Sequence, residues 1–399
     1  MNPEFDPIER VLEDLRQGKL VIVTDDAERE NEGDLILAGE KATAPLISFM
    51  IRYTSGVICV PMAGEDLDRL ELPLMTVRNT ESMRTAYTVS VDASEGIATG
   101  ISAADRARTI RLLADPATRS EDLVRPGHVF PLRYRPGGVL QRAGHTEAAV
   151  DLARLAGFSS VGVLAEIVND DGSMARMPDL LAFKARHGLK ICSIEDLIAY
   201  RRSRERLIER EQASVVATDY GEFRLYVYRS RVDGVNHVAL VKGDVAGEEP
   251  TLVRVHSECL TGDVFGSLRC DCGPQLHAAL QQIRQEGRGI LVYMRQEGRG
   301  IGLAAKVHAY KLQEAGFDTV EANERLGLPV DLREYGLGAQ ILVDLGVKNL
   351  RLLTNNPKKV IGLEGYGLNI VEQVPIRAEP TPFNWHYLET KRLKMGHTL

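Results

Sequence analysis

Three of the five cysteines lie close together in the sequence, at positions 259, 270 and 272. Three thiolates without a fourth protein ligand suit a zinc ion that keeps one position open for water, which is the arrangement of catalytic zinc. If Cys270 and Cys272 lie on a strand, both sulfurs share a face, and Cys259 returns through the loop of Gly262 and Gly266. The alternative is three buried thiols that pack as small hydrophobic side chains. Polar neighbours favour the metal site: Ser257, Glu258, Asp263, Arg269 and Asp271.

Two other stretches of the second half have the composition of phosphate-binding turns. In Arg295–Leu303, the glycines beside Arg299 allow the backbone and the guanidinium to approach a phosphate closely. The helix predicted from Leu303 to Ala315 adds free N–H groups at its start. In Arg351–Val360, Pro357 is expected at the first position of a helix. The alternatives are a plain strand-to-helix turn and a basic helix start. The side chains of the second stretch that suit an anion are Thr354, Lys358 and Lys359.

An acidic turn in the first half, Thr24–Leu35, carries six carboxylates between two apolar segments that we predict to be strands. Hard cations such as Mg²⁺ bind oxygen ligands of this kind. The alternative is a solvated acidic hairpin tip. The turn is therefore a candidate cation site that needs support from a second segment.

A second segment of the first half, Arg142–Gly157, predicts a helix that begins beside a phosphate site. Thr146 stands where an N-cap belongs, Arg142 precedes it, and Gly157 closes the helix. His145 is placed to complete a metal site with a glutamate of the acidic turn. The apolar face of the helix is formed by Ala148, Ala149, Leu152 and Leu155.

The three stretches of the second half together resemble GTP cyclohydrolase II over about residues 205 to 399. The spacing of one cysteine, ten residues and then Cys-Asp-Cys-Gly is highly specific for that family. The resemblance implies zinc on the three cysteines and GTP accompanied by Mg²⁺. In the implied reaction C8 of guanine leaves as formate, and pyrophosphate is released. The implied GTP contacts are Arg254, Val255, His256, Ser257, Glu258, Gln275, Glu297, Gly298, Arg299, Thr319, Thr354 and Lys359.

The same resemblance places Tyr310, Asp331 and Arg333 in catalysis. Arg333 is either a nucleophile or an electrostatic clamp on the transition state. A guanidinium stays protonated and has no free lone pair to offer. We therefore favour the clamp, with Asp331 as the proton acceptor.

The first half resembles 3,4-dihydroxy-2-butanone 4-phosphate synthase over about residues 5 to 203, because the motifs Arg-Glu-Asn-Glu-Gly-Asp and Gly-His-Thr-Glu are both intact. Ala27 stands where relatives often carry an acidic residue. The resemblance implies Mg²⁺ or Mn²⁺ on Glu30 and His145, and a metal that lowers the cost of an enediolate. His128 and Glu166, which we place at strand or loop ends, would be essential. The implied contacts to ribulose 5-phosphate are Arg29, Glu30, Asp34, Arg142, Ala143, Gly144, His145, Thr146 and Glu166.

Length and composition restrict the remaining possibilities. A chain of 399 residues predicts two domains. A net charge of −7 argues against a general nucleic-acid binder. We find no apolar run long enough to span a membrane and no signal-peptide pattern at the N-terminus. An odd number of cysteines in a large chain argues against a disulfide framework and favours a reducing cytoplasm.

The elements that must position these residues are predicted from hydrophobic periodicity. Periodicity predicts an α/β or α+β layered domain in the first half, and with the two resemblances the predicted fold class is α+β in two domains, residues 1–204 and 205–399. The first is a layered α/β sandwich and the second an α+β domain. A charged helix from Ser193 to Glu211, with a capping box at Ser193 and Asp196, is expected to join them. Helices are predicted at 6–15 and 103–113, and strands at 19–24, 56–60, 223–229, 237–241 and 251–256.

The two family resemblances together imply a bifunctional enzyme of riboflavin biosynthesis in which both halves are active. The family resemblance suggests a homodimer, with the first-half site shared between subunits. One alternative is a single working half joined to a scaffold. Another is a regulatory or nucleic-acid-binding module with a closed four-ligand zinc, to which His256 would contribute the fourth ligand.

Overall fold

The computed structural model describes residues 4–26, 29–81, 83–315, 317–318, 321–322, 325–326, 336–356, 366–376 and 380–395. The chain divides into two compact units, Met1–Arg204 and Glu205–Leu399. Within the described ranges, no helix has the length and hydropathy needed to cross a membrane.

The first unit contains seven helices and seven strands among its described residues. The helices are α1 Ile8–Arg16, α2 Ala44–Tyr53, α3 Gly64–Arg69, α4 Ala103–Ala114, α5 His145–Leu155, α6 Met177–His187 and α7 Ile194–Arg204. The strands are β1 Val21–Thr24, β2 Gly33–Ala38, β3 Cys59–Met62, β4 Val91–Ala93, β5 Leu123–Arg133, β6 Gly162–Glu166 and β7 Lys190–Ser193.

The sheet of the first unit has the order β4-β5-β3-β6-β2-β1-β7 and mixes parallel with antiparallel pairs. Successive side chains of a strand point to opposite faces. Ile22 and Leu35 accordingly pack with α2, α4 and α6, whereas Val21 and Ile36 pack with α1, α5 and α7. A sheet covered on both faces confirms the predicted layered sandwich. It also explains why β1, β2 and β3 are buried along their whole length.

The second unit has five described helices and a second seven-stranded sheet of order β14-β13-β11-β12-β10-β9-β8. The helices are α8 Leu260–Asp263, α9 Cys272–Glu286, α10 Leu303–Glu314, α11 Gly336–Asp344 and α12 Trp385–Met395. The strands are β8 Ile208–Thr218, β9 Gly221–Ser230, β10 Asn236–Lys242, β11 Thr251–Ser257, β12 Gly289–Met294, β13 Asn349–Leu353 and β14 Asn369–Val374.

The pairing of β11 determines which loops meet in the second unit. It lies between β12 and β13 and is parallel to both. The carboxyl ends of all three strands therefore lie at one edge of the sheet, where open α/β sheets bind their ligands. The cysteine stretch follows β11, the Gly-rich stretch follows β12, and Thr354 follows β13. Helix α9 packs Ala279 and Ile283 against the sheet.

Most of the predicted elements are confirmed, and two of them differ in their bounds. The strand predicted at 56–60 begins only at Cys59, because Gly56 has φ +79° and Val57 is exposed. The charged helix was predicted too long. The hydrogen bond predicted at its start is present, with the Asp196 amide donating to Ser193 Oγ at 3.0 Å, but the helix ends at Arg204. Residues 208–211 belong to β8, where backbone pairing with β9 and the contact of Arg210 with Asp344 replace the helical bonds.

Candidate active sites

The first cluster surrounds His145, which opens α5 directly after Gly144. Thr146 lies in the first turn, so the prediction that it is the N-cap is wrong. Gly144 takes that place, and a Cβ there would lie 2.5 Å from Arg142 Nη1 and 3.0 Å from Glu147 Oε2. Those two side chains form an ion pair at 2.7 Å, in which Glu147 is buried and Arg142 is half-buried. The pair therefore lies against the backbone at the start of the helix.

A hydrogen bond on the side away from the carboxylates orients the ring of His145. Nε2 donates to the carbonyl oxygen of Val23 at 3.1 Å, because a carbonyl can only accept. This leaves Nδ1, which lies 3.6 Å from Glu30 Oε2 and 3.9 Å from Asp34 Oδ1. A histidine whose second nitrogen is held by a backbone carbonyl is the usual arrangement for a metal ligand.

Asp25 was not singled out from the sequence, yet it organises the acidic turn. Its carboxylate accepts from Arg29 Nη1 at 2.9 Å, from the Glu30 amide at 3.0 Å and from the Glu32 amide at 2.9 Å. Possible ligand atoms of Asp25, Glu30 and His145 all lie within 4.8 Å of one another. The described residues of the turn therefore bring together side chains that could hold a cation with His145.

The electrostatics of this cluster favour a cation. Burial opposes protonation of His145, but the surrounding carboxylates, Asp34 and Glu30 foremost, outweigh it and raise its pKa to about 9. Burial raises the pKa of Asp34 to about 7, although His145 partly offsets the effect. Burial, followed by repulsion from Glu30, raises the pKa of Glu32. The hydrogen bond with His145, followed by the charge of Arg29, outweighs burial and lowers the pKa of Glu30, so this carboxylate is held in the charged form that binds a cation.

Glu166 lies beside this cluster, and His128 contacts a different carboxylate. Glu166 ends β6, is paired in register with Asp34, and accepts from Ser55 Oγ at 2.7 Å. His128 lies inside β5 rather than at a strand or loop end, and its Nδ1 is 2.6 Å from Asp92 Oδ2. The His128 amide also donates to Asp92 Oδ1 at 3.0 Å. Asp92 is 6% exposed and the His128 side chain 41%, so a buried carboxylate holds a histidine that reaches solvent.

The second cluster contains the three cysteines, and their expected location on a strand is wrong. Cys259 immediately precedes α8, Cys270 lies in a turn, and Cys272 is the first residue of α9. The helix starts there because Pro274 fits its first turn, where no N–H donor is needed. Sγ of Cys259 and Sγ of Cys270 are 3.6 Å apart, and all three sulfurs lie within 4.8 Å.

The backbone at Gly262 lies against these sulfurs. A Cβ there would meet Cys270 Sγ at 2.9 Å and Cys259 Sγ at 3.1 Å. Hydrogen bonds from Cys270 and Cys272, followed by the Lys306 ammonium, hold the pKa of Cys259 well below its usual range. The cluster thus contains one thiolate and two neighbouring thiols, and glycine backbone rather than a side chain packs against the sulfurs. This arrangement fits a metal site better than a packed core.

Asp263 joins the cysteine loop to the sheet. Its carboxylate accepts from the Cys259 amide at 2.9 Å and from Tyr293 OH at 2.8 Å, and it lies 3.1 Å from His256 Nε2. His256 therefore anchors the loop through Asp263. Among the described side chains it is not part of the metal-capable cluster, so the four-ligand alternative gains no support.

Arg254 and Gln275 lie beneath the start of α9. The guanidinium of Arg254 donates to the Leu353 carbonyl at 2.8 Å and to Gln275 Oε1 at 2.7 Å, and Gln275 Nε2 donates to Asp271 Oδ2 at 2.6 Å. Val255 is buried in the sheet. The polar side chains of this group thus hold the cysteine-bearing turn in place.

The Gly-rich stretch meets the cysteine loop at the sheet edge. Glu297 accepts from the Leu260 amide at 2.6 Å and from the Gly298 amide at 2.6 Å. Tyr310 OH lies 3.2 Å from Thr261 Oγ1. A pocket is formed where the stretches meet. Its lining includes these predicted residues: Ser257, Glu258, Cys259, Cys270, Cys272, Glu297, Gly298 and Tyr310.

The remaining predicted residues are placed only in part. Thr354 is buried, and its Oγ1 accepts from the Asn356 amide at 3.0 Å. The backbone of Arg299 lies in the turn at Glu297–Gly300, and its side chain is not described. Outside the described residues lie Ala27, Thr319, Asp331, Arg333, Pro357, Lys358 and Lys359.

Comparison with known proteins agrees with both halves. The family model for 3,4-dihydroxy-2-butanone 4-phosphate synthase matches residues 9–200, and that for GTP cyclohydrolase II matches residues 209–375. The riboflavin biosynthesis protein RibBA of Nocardia farcinica is 60% identical over 99% of this chain and 96% of its own. RibBA of Chlorobium phaeovibrioides is 58% identical over 100% and 97%.

Two further similarities extend the comparison. The chloroplastic bifunctional riboflavin biosynthesis protein RIBA 1 of Arabidopsis thaliana is 58% identical over 99% of this chain and 73% of its own. The crystal structure of RibBX, a two-domain 3,4-dihydroxy-2-butanone 4-phosphate synthase from A. baumannii, superposes with a TM-score of 0.71. It is 38% identical and covers 94% of this chain and 100% of that one. The chain belongs to the family of bifunctional riboflavin biosynthesis proteins, which join a 3,4-dihydroxy-2-butanone 4-phosphate synthase to a GTP cyclohydrolase II.

Proposed function

We propose that the two activities use separate metal centres, a Mg²⁺ or Mn²⁺ site on Glu30 and His145 and a zinc site on Cys259, Cys270 and Cys272. The first unit converts ribulose 5-phosphate to 3,4-dihydroxy-2-butanone 4-phosphate and formate, and the second hydrolyses GTP with release of formate and pyrophosphate. The observation that carries the proposal is that the described residues form one metal-capable cluster in each unit, and the clusters differ in chemistry.

In the first unit, oxygen ligands and one oriented imidazole suit a hard cation. Bound there, the cation supplies Lewis acidity that stabilises an enediolate. Asp34 and Glu166, adjacent on paired strands, are placed to exchange protons with the sugar. The start of α5 after Arg142 is placed to receive the phosphate.

His128 and Asp92 form a second functional group of the first unit. Asp92 accepts from Nδ1–H and so directs the other ring nitrogen, Nε2, toward the substrate as a proton acceptor or donor. The two Asp92 oxygens hold both the ring and the backbone of His128. This geometry makes Asp92 the positioning residue for His128.

Asp92→Asn is expected to lower kcat for ribulose 5-phosphate by about 10²- to 10⁴-fold, as loss of the analogous carboxylate does in Ser-His-Asp triads. The amide removes the charged acceptor and allows the wrong tautomer of His128. Steady-state kinetics of formate release measure the effect. Asp115→Asn, at an exposed aspartate of the same unit, serves as the control. An unchanged kcat in Asp92→Asn would show that His128 needs no such partner.

In the second unit, three thiolates leave one position of a tetrahedral zinc for water or substrate. Zinc in such a site is a Lewis acid that makes water acidic near neutral pH. In this proposal GTP binds between the loops after β11, β12 and β13, which is supported by the position of Glu297, Gly298 and Tyr310 beside the cysteine loop. We assign Asp331 as proton acceptor and Arg333 as the clamp on the departing phosphates, on the family resemblance.

Selective metal removal tests the proposal. A zinc chelator, applied in excess Mg²⁺, is expected to abolish formate release from GTP and to leave formate release from ribulose 5-phosphate unchanged. Formate is assayed from each substrate on the same purified protein, and zinc is measured by elemental analysis. Loss of both activities together would contradict separate centres.

We also propose that the chain acts as a homodimer in a reducing compartment such as the cytoplasm. The thiols of the zinc site must stay reduced to bind metal, and all five cysteines are free. Large apolar side chains are exposed at Leu74, Met75 and Val77. A few residues after this exposed segment, the Met83 carbonyl accepts from Arg142, which connects the segment to the proposed site of the first unit. Sedimentation of the purified protein at the monomer mass would argue against the dimer.

A further inference from the structure

Lys306 is a buried lysine beside the cysteine cluster that no sequence pattern indicated. It lies on α10 and is 9% exposed. Its Nζ is 3.2 Å from Cys259 Sγ and 2.8 Å from Glu297 Oε1. Lysine is almost never buried without a partner, so both partners matter to its position.

Glu297 holds the ammonium group in this place. Its carboxylate accepts from Lys306 and from the backbone amides of Leu260 and Gly298. Leu260 directly follows Cys259, so the same carboxylate ties the lysine to the loop that carries the sulfur. The ammonium group therefore donates to a sulfur whose backbone is fixed relative to it.

The charge of the proposed site explains why such a donor is useful. Three thiolates around one Zn²⁺ leave a net charge of −1, and thiolates donate electron density that weakens the metal as a Lewis acid. Hydrogen bonds to ligating sulfurs draw some of that density away and tune the metal, as they do in iron–sulfur proteins. Of the described groups, Lys306 places a full positive charge within hydrogen-bond distance of Cys259 Sγ.

We propose that Lys306 is a positioning residue of the zinc centre, one that polarises the Cys259 thiolate and keeps the bound metal electrophilic. The inference rests on the proposed zinc site. Lys306 also lines the pocket, but its ammonium group is held by Cys259 Sγ and Glu297, and Glu297 is the anchor that aims it.

The test uses the full-length protein with Co²⁺ in place of zinc, because cobalt–thiolate charge transfer is visible in the near ultraviolet. Lys306→Met and Lys306→Gln are expected to shift that band to longer wavelength, since an unpolarised thiolate gives up its electron more easily. Lys306→Arg is expected to restore the wild-type band. A residue that only supports the fold would leave the band energy unchanged.

The activity of the wild-type and variant proteins with zinc in place of cobalt provides a second readout. Both charge-removing variants are expected to lose about 10- to 100-fold in kcat for GTP, the usual effect of a group that supports a metal ligand, with little change in KM. Formate release from ribulose 5-phosphate should stay at the wild-type rate. Lys311→Met, at an exposed lysine of the same helix, is the matched control and should match wild type in both readouts.

The outcomes separate the inference from the proposal beneath it. A wild-type protein without a cobalt–thiolate band would overturn the zinc site and the inference together. A wild-type band that is unchanged in Lys306→Met and Lys306→Gln would overturn the inference alone. A shifted band in both variants, restored by Lys306→Arg, supports it.

Discussion

Cys270→Ser is expected to remove zinc from the protein and to lower formate release from GTP by about a thousandfold. Lewis-acid catalysis contributes several kcal/mol to a transition state, and each 1.36 kcal/mol corresponds to a factor of ten in rate. A serine hydroxyl is not ionised near neutral pH and replaces a thiolate poorly as a zinc ligand. Formate release from ribulose 5-phosphate should be unchanged, because Glu30 and His145 belong to the other unit.

Zinc content and the two formate assays measure this outcome on one preparation. Cys192→Ala is the matched control, since Cys192 is also a buried free thiol but lies outside the cysteine cluster. It should keep zinc and both activities. If Cys270→Ser kept its zinc and its GTP activity, the three thiols would be core residues, which is the alternative that their burial allows.

Glu30→Gln is expected to produce the opposite pattern, with about a thousandfold loss for ribulose 5-phosphate and full activity toward GTP. The substitution keeps the size of the side chain and removes the negative charge that faces His145 at 3.6 Å. Loss of the charged ligand weakens the binding of a hard cation. The several kcal/mol of transition-state stabilisation that the bound cation would supply are then lost as well.

Binding of Mn²⁺, followed by electron paramagnetic resonance, reports the metal site independently of turnover. Glu65→Gln, at an exposed glutamate of the same unit, should bind Mn²⁺ as the wild type does. Equal Mn²⁺ affinity in Glu30→Gln and wild type would exclude Glu30 as a ligand. Weaker binding with unchanged catalysis would exclude the cation from the reaction.

Local patterns in the sequence indicated both clusters, because their residues carry distinctive chemistry at short spacing. The cysteine spacing and the acidic turn needed no tertiary information to be noticed. The secondary structure around the cysteines was harder to predict, since the polar residues before Pro274 do not indicate that a helix begins there. The charged helix was predicted to extend past Arg204 because local sequence gives no sign that Arg210 contacts Asp344, which lies 134 positions further along the chain.

The supporting residues could not be predicted for a related reason. Asp92 lies 36 positions before His128, and Lys306 lies 47 positions after Cys259. Each pair meets only once the sheet and its flanking helices have formed. A lone aspartate on a short strand or a lysine within a helix has no local pattern that separates it from a surface charge.

Gly262 also has an evolutionary consequence. Every missense change of a glycine codon introduces a side chain, and its first carbon would lie 2.9 Å from Cys270 Sγ and 3.1 Å from Cys259 Sγ. Because these distances are shorter than ordinary van der Waals contacts, even alanine would require the sulfurs to move, so small substitutions are disfavoured as well as large ones. Natural or laboratory variation in the behaviour of the proposed metal centre is therefore expected to arise at residues around the loop, and not at Gly262, whose backbone contacts the sulfurs.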